Sequence, residues 1–183
     1  MNIRWYIYLT LSASFLMTGC ANMPTPSQLT PELNKANFVA INKILTVGDV
    51  TGKEQKDVLG IETISVGNDT FKQALIETLK DSGIFKAVSQ NPGGDYLLSA
   101  QIISQKLEGY GTLTLFVRYR LVENASGKIV WANNIFSEKS ISVGEVFMGA
   151  ERTKQLRQIV FRDNLSKLVV EINKVISQIQ GVH

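Results

Sequence analysis

From Leu113 to Val122 apolar and polar positions alternate one for one. Leu113, Leu115, Val117, Tyr119 and Leu121 take one side, and Thr114, Phe116, Arg118, Arg120 and Val122 take the other. A period of two predicts a β-strand with one face buried and one largely in water. Tyr96, Leu98, Ala100 and Ile102 share a face of a preceding strand, and Gly109-Tyr110-Gly111 breaks the run between the two. Asn124-Ala125-Ser126-Gly127 closes a tight turn. Lys128 to Ser142 then returns as a partner strand, with Ile129, Trp131 and Ile135 on one face. These strands form an antiparallel meander. Upstream, Asn42 to Val50 predicts a first strand, in which Leu45 and Val47 alternate with Thr46 and Gly48. Ile84 to Val88 is a short strand that ends at the turn cluster Asn91-Pro92-Gly93-Gly94.

Two stretches have a different period. Phe71, Leu75 and Leu79 recur every four residues with Ala74 beside them, which is one face of a helix. Asn68 or Asp69 can cap its start, and Gly83 is placed to end it in a left-handed conformation. Near the C-terminus, Leu156, Ile159, Val160, Leu165, Leu168, Val169, Ile172, Val175, Ile176 and Ile179 make a second helical stripe. A helix from Glu145 to Gln178 would be about 50 Å long at 1.5 Å per residue. That exceeds the diameter of a domain this size, so a break near Gly149 or a protruding end is expected. The expected fold class is α+β: an antiparallel sheet of four to five strands with two helices packed on one face.

The first residues read as an export signal. Arg4 is followed by an apolar run from Trp5 to Met17, then the small residues Thr18 and Gly19 before Cys20. The run is too short for the roughly 20 apolar residues that span a bilayer, and it fits the h-region of a signal peptide. This predicts a signal over residues 1–19, a segment over 20–37 rich in Pro, Ser, Thr and Asn that reads as a flexible linker, and one domain over 38–183. The linker would reach about 50 Å if fully extended.

Composition narrows the function. The chain has 183 residues, 44% hydrophobic and 19% charged, enough for one packed domain. Its formal charge of +3 includes Arg4 of the signal. So small an excess, without a clustered basic run, argues against a nucleic-acid partner. One cysteine cannot make an internal disulfide, so packing alone must hold the domain.

Several chemistries lack their residues. The one histidine is His183, at the terminus, so no His-based triad, His metal pair or zinc site is available. Gly48 to Lys53 mimics a phosphate loop but is one residue short between its glycines, and Glu54 stands where Ser or Thr would bind magnesium. Glu108, Glu123, Glu138 and Glu145 fall in or near turns and strand ends, where a solvated surface is the simpler reading than acid–base work. No catalytic set, cofactor or metal is expected.

Two places are candidates for partner contact. The Gly52–Gly67 connection is long for a loop and carries Val58 and Ile61 within an apolar stretch. An ordinary variable loop is the alternative. Glu151-Arg152 and Arg162-Asp163-Asn164 interrupt the apolar C-terminal helix, and Arg152 and Arg162 lie about 80° apart around its axis. They would share one broad face open to a partner or a headgroup, or else serve as a charged helix face or a clamp.

Residues 16–20 resemble the lipobox of bacterial lipoprotein signal peptides, with Met17 at the Leu position and Leu16 one place early. The resemblance implies that Cys20 becomes an acylated N-terminus and that Ala21 directs the protein to the outer membrane. The alternative is an ordinary signal with Cys20 as a buried free thiol. A second resemblance rests on Ile44 to Thr51, Leu79-Lys-Asp-Ser-Gly-Ile-Phe85 and Asp95-Tyr-Leu-Leu-Ser-Ala-Gln-Ile102. In layout these are similar to the curli-secretion CsgG family, the penicillin-binding-protein activator family LpoB and, less closely, the lipopolysaccharide-assembly family LptE. A closer resemblance, to uncharacterised proteobacterial lipoproteins, uses Tyr119-x-Leu121, Gly127-x-x-Val-Trp131, Phe147-x-Gly149-x-Glu-Arg152 and Arg162-x-Asn164. It implies a lipid-anchored periplasmic domain of this fold. The lipid tether, the flexible reach and the lack of a catalytic set then lead to a non-enzymatic body that docks to another envelope protein, as an assembly factor or a subunit of a larger envelope or secretion complex, with oligomerisation left open. Two other readings stay open. A lipid or glycan carrier would need a deep apolar cavity under Trp131 and Tyr119. An enzyme using carboxylates would need two buried acids in one cleft.

Overall fold

A computed structural model describes residues 23–52, 66–109, 111–142, 144–146 and 149–181. Cys20, Val58 and Ile61 lie outside the described residues. The chain forms a short helix α1 (Pro26–Leu29) and a single 3-10 turn (Lys35–Asn37). Then follow β1 (Ile41–Gly52), α2 (Asn68–Ser82), β2 (Phe85–Ser89), β3 (Tyr96–Glu108), β4 (Thr112–Glu123), β5 (Ile129–Ser140) and α3 (Gly149–Gln180).

The five strands make one sheet in the order β2-β1-β3-β4-β5. The expected meander is present, since β3, β4 and β5 pair antiparallel through long ladders. β1 differs: it pairs parallel with both β2 and β3. The helix α2 connects β1 to β2, as parallel strands require a crossover. The link from β2 to β3 must then pass across the end of β1, and the Asn91–Gly94 turn makes that passage. The Gly94 N–H donates to Thr46 Oγ1 at 3.1 Å, and the Asp95 N–H donates to Ile44 O at 2.8 Å. A Cβ on Gly94 would lie 2.7 Å from Thr46 Oγ1 and 2.9 Å from Ile44 O, so the crossing needs glycine.

Both long helices cover one face of the sheet, α2 over β1 and β2 and α3 over β4 and β5. Their apolar stripes meet the inward strand positions predicted from the alternation: Leu45, Val47, Leu98, Ala100, Ile102, Leu115, Val117, Tyr119 and Leu121 are all buried. Phe71 of α2 packs edge-on against Phe161 of α3, with ring centres 5.2 Å apart. Each such side chain contributes roughly 1.5–3 kcal/mol by leaving water. Gly83 ends α2 with φ 68°, as its position predicts. The residue capping the start of α2 is Gly67, before either expected candidate, so Asn68 and Asp69 fall inside the first turn. The C-terminal helix begins at Gly149. Ile129 does not share a face with Trp131 and Ile135. The β4–β5 register shifts between Leu121 and Val122, which sets Ile129 opposite Val122 and leaves it exposed.

Residues 23–37 correct the expectation of a flexible linker. They form a strap fastened across α2 and α3. Leu29 is fully buried, and the Thr25 N–H is capped by Gln28 Oε1 at 3.0 Å. The Thr30 hydroxyl donates to Glu77 at 3.3 Å, and Lys35 pairs with Asp81 at 2.6 Å. Just beyond the strap, the Val39 N–H donates to Asn173 Oδ1 at 2.7 Å. The polar composition that suggested solvation instead supplies these ties.

Candidate functional site

With both long helices on one side, the other face of the sheet carries no helix among the described residues. Its side chains form rows across the three antiparallel strands. Gln101, Arg118 and Asn134 make one row, Ser99, Arg120 and Ala132 the next, and Ser104, Phe116 and Phe136 a third. The Arg118 guanidinium donates to Asn134 Oδ1 at 3.3 Å and reaches Gln101 Oε1 at 3.5 Å. These neutral amides orient the charge without cancelling it. Arg120 follows two residues along β4, about 7 Å away at the rise of a strand. Among the described residues neither arginine has a carboxylate partner. Phe116 and Phe136 meet edge-on with centres 6.5 Å apart, and Phe136 is 52% exposed.

Two oriented guanidinium groups can take carboxylate or phosphate oxygens in bidentate fashion. Arginine and aromatic side chains together are also the composition of interface centres. The alternation in β4 placed Arg118 and Arg120 on the wet face. Two like charges at i and i+2 with no acid between them was the available signal. The sequence could not show that no helix covers that face, or that Phe136 would lie beside them.

The candidate arginines on α3 separate. Arg152 is 5% exposed and donates to Val146 O at 3.1 Å, whereas Arg162 is exposed. They do not present a common surface. Arg157, which the sequence reading did not single out, is also 5% exposed. Its guanidinium reaches Met23 Sδ at 3.4 Å, its Nε has no hydrogen-bond partner among the described residues, and burial lowers its pKa to about 10.

Where α3 crosses β4 and β5, Asn164 is fully buried. It accepts the Tyr119 hydroxyl at 2.7 Å and donates to Ile135 O at 3.1 Å. Burial raises the Tyr119 pKa well above its ordinary value, so the hydroxyl stays a donor. Beside it, Asp163 pairs with Lys167 at 2.6 Å and Lys139 at 3.1 Å. Burial pushes the Asp163 carboxyl up, but hydrogen bonds from Lys167, Ser137 and Lys139 outweigh it and hold its pKa below the usual value. Lys167 also donates to Phe136 O at 3.0 Å, and Asn133 Oδ1 accepts the Asn134 N–H at 2.8 Å. β5 is the last strand of the sheet, and these contacts occupy backbone groups that an added strand would use. The groove between β5 and α3, about 420 Å³, is lined by Asn133, Phe136, Asp163, Lys167 and Val170 and is open to solvent.

Glu108, Glu138 and Glu145 are exposed and Glu123 is half-buried. The described residues hold no group of three or more His, Cys, Asp or Glu placed to bind a metal, and no described helix is long and apolar enough to cross a membrane.

No protein-family model and no curated protein matches the chain. These comparisons therefore give no specific match to the CsgG, LpoB or LptE families. Solved structures do share the fold. Protein XCC0632 from Xanthomonas campestris, of the family DUF330, is 12% identical over 87% of this chain and 96% of its own, with a TM-score of 0.63. An uncharacterised protein is 13% identical over 74% of this chain and 95% of its own, with a TM-score of 0.55. A minor lipoprotein from Acinetobacter baumannii is 15% identical over 72% and 93%, but its TM-score of 0.46 is too low to argue from. At these identities the likeness establishes a shared fold and nothing about function.

Proposed function

We propose that this chain is a lipid-anchored, non-enzymatic interaction module on the periplasmic side of the bacterial outer membrane. Its body would dock to another envelope protein, as an assembly factor or a subunit of a larger complex. The observation that supports docking is the sheet face that, among the described residues, carries no helix and where Arg118 and Arg120 have no carboxylate partner beside the Phe116–Phe136 pair. Such a face offers charge and apolar contact over a flat area, which suits a protein surface better than a small molecule. The lipobox resemblance at Cys20 supports the anchor. The carrier reading called for a deep apolar cavity under Trp131 and Tyr119. Tyr119 is fully buried with its hydroxyl met by Asn164, and Trp131 is half-buried against the core.

The test is photo-crosslinking in living cells from a reactive side chain placed at Gln101 or Asn134, with exposed Gln178 of α3 as the comparison position. The proposal expects a discrete protein adduct from the sheet positions that disappears in the Arg118→Glu/Arg120→Glu background. No adduct from the sheet face, or the same adduct from all three positions, would contradict it.

A further inference from the structure

The strap fixes where the anchor leaves the body. From Met23 onward the chain is tied down: the Met23 sulfur touches the Arg157 guanidinium on α3, and Leu29 is buried where the strap's short helix meets both long helices. Only three residue steps separate Met23 from Cys20. A fully extended chain spans at most about 3.3–3.6 Å per residue, so those steps cover about 10 Å, not the 50 Å of a free linker.

The exit point lies at one end of the molecule. The crossing contacts pair Asp163 with Lys139, and Lys167 with Phe136. The Val39 N–H, just before β1, donates to Asn173. The helix α3 therefore runs from the Met23 end, at Gly149 to Arg157, to the opposite end of the sheet near Asn173 and Gln180. From Lys154 to Gln178 is about 36 Å along its axis. Along this stretch of helix Arg152 and Arg157 are buried, and the half-buried Lys154 is the cation that reaches the surface. The short tether from Met23, and not a charged patch, sets which end of the body meets the lipid.

From this we infer that the body stands on the membrane by the N-terminal end of α3, within about 10 Å of the headgroups, with Lys154 toward the lipid and Gln178 away from it. The inference rests on the acylation of Cys20 proposed above. It makes the strap a rigid collar that sets both height and orientation, and it leaves the sheet face standing across the membrane plane, open to a neighbour.

The test uses the full acylated chain in vesicles of phosphatidylethanolamine and phosphatidylglycerol with a headgroup-labelled acceptor lipid. Donor dyes are placed through Lys154→Cys in one preparation and Gln178→Cys in another; Cys20, once acylated, takes no dye. Energy transfer several-fold higher from position 154 than from 178 is expected. A Gly/Ser spacer of about 20 residues before Met23 should abolish that difference while the protein still floats with the vesicles. Equal transfer from both positions without the spacer, or higher transfer from 178, overturns the orientation and leaves the anchor standing. A chain that carries no acyl group and does not float overturns the anchor, and this inference with it.

Discussion

The Tyr119 hydroxyl donates to Asn164 Oδ1 at 2.7 Å across the interface between β4 and α3. Both side chains are fully buried, and Asn164 spends its amide protons on Ile135 O and Ser137 Oγ. One polar residue in an apolar helical stripe thus fixes how α3 sits over two strands. Tyr119→Phe leaves the Asn164 oxygen buried without a donor and is expected to cost about 1–3 kcal/mol. Adding Asn164→Leu should cost less than the sum of the two single changes, because the pair acts as a unit. Urea unfolding of the four proteins measures this.

Asp163 makes the stability depend on pH. Its folded pKa lies below the ordinary carboxylate value. Its stabilisation is therefore complete above the unfolded pKa of about 3.9 and is lost as pH falls through the lower folded value. Asp163→Asn should flatten this acid limb. Unfolding midpoints of both proteins at neutral and at acid pH give the comparison, and the gap between them should narrow as pH drops.

Gly94 is where the chain crosses the end of β1. Gly94→Ala brings a methyl against Thr46 Oγ1 and the Ile44 carbonyl, and the second is backbone that cannot swing away. A loss of about 1–3 kcal/mol is expected. Gly93→Ala, with nothing within 4 Å of the added carbon but φ 110°, separates backbone strain from this clash.

The collar depends on Leu29. Leu29→Ala should cost about 2–5 kcal/mol if the strap cannot collapse into the gap. It should also open residues 23–38 to limited proteolysis before the sheet unfolds. Cleavage within the strap that does not quicken in the variant would contradict the docked arrangement.

Most of the strands and both long helices could be read from periodicity, because a buried face imposes a period of 2 or 3.6 on the chain. What periodicity does not encode is partnership. Leu45 and Val47 show that β1 has an inward face, but not that both its neighbours run parallel to it. The strap was hidden for a related reason. It has little apolar period, and it is held by buried Leu29 and by polar side-chain ties to α2 that look like linker composition. Arg152 and Arg162 were paired by angle around a helix axis, yet burial depends on what covers each position. Arg152 is buried and bonded to Val146 O, while Arg162 faces water. On the sheet, Arg118 and Arg120 were legible as wet residues. That they stand on an open face was a property of the tertiary fold.

The sheet arginines should matter little to folding. Arg118→Glu and Arg120→Glu are each expected to shift stability by no more than about 0.5 kcal/mol, as exposed substitutions do. Thermal melts would check this and make any loss of crosslinking a loss of recognition.

The anchored reading turns on one atom, the sulfur of Cys20. Intact-mass measurement of the protein recovered from envelopes, alongside fractionation of the Cys20→Ser variant, tests it most directly. The account predicts a chain that begins at residue 20 with added acyl mass, and a serine variant found in the soluble periplasmic fraction. An unmodified thiol on the wild-type protein, or a serine variant that stays with the outer membrane, would contradict it.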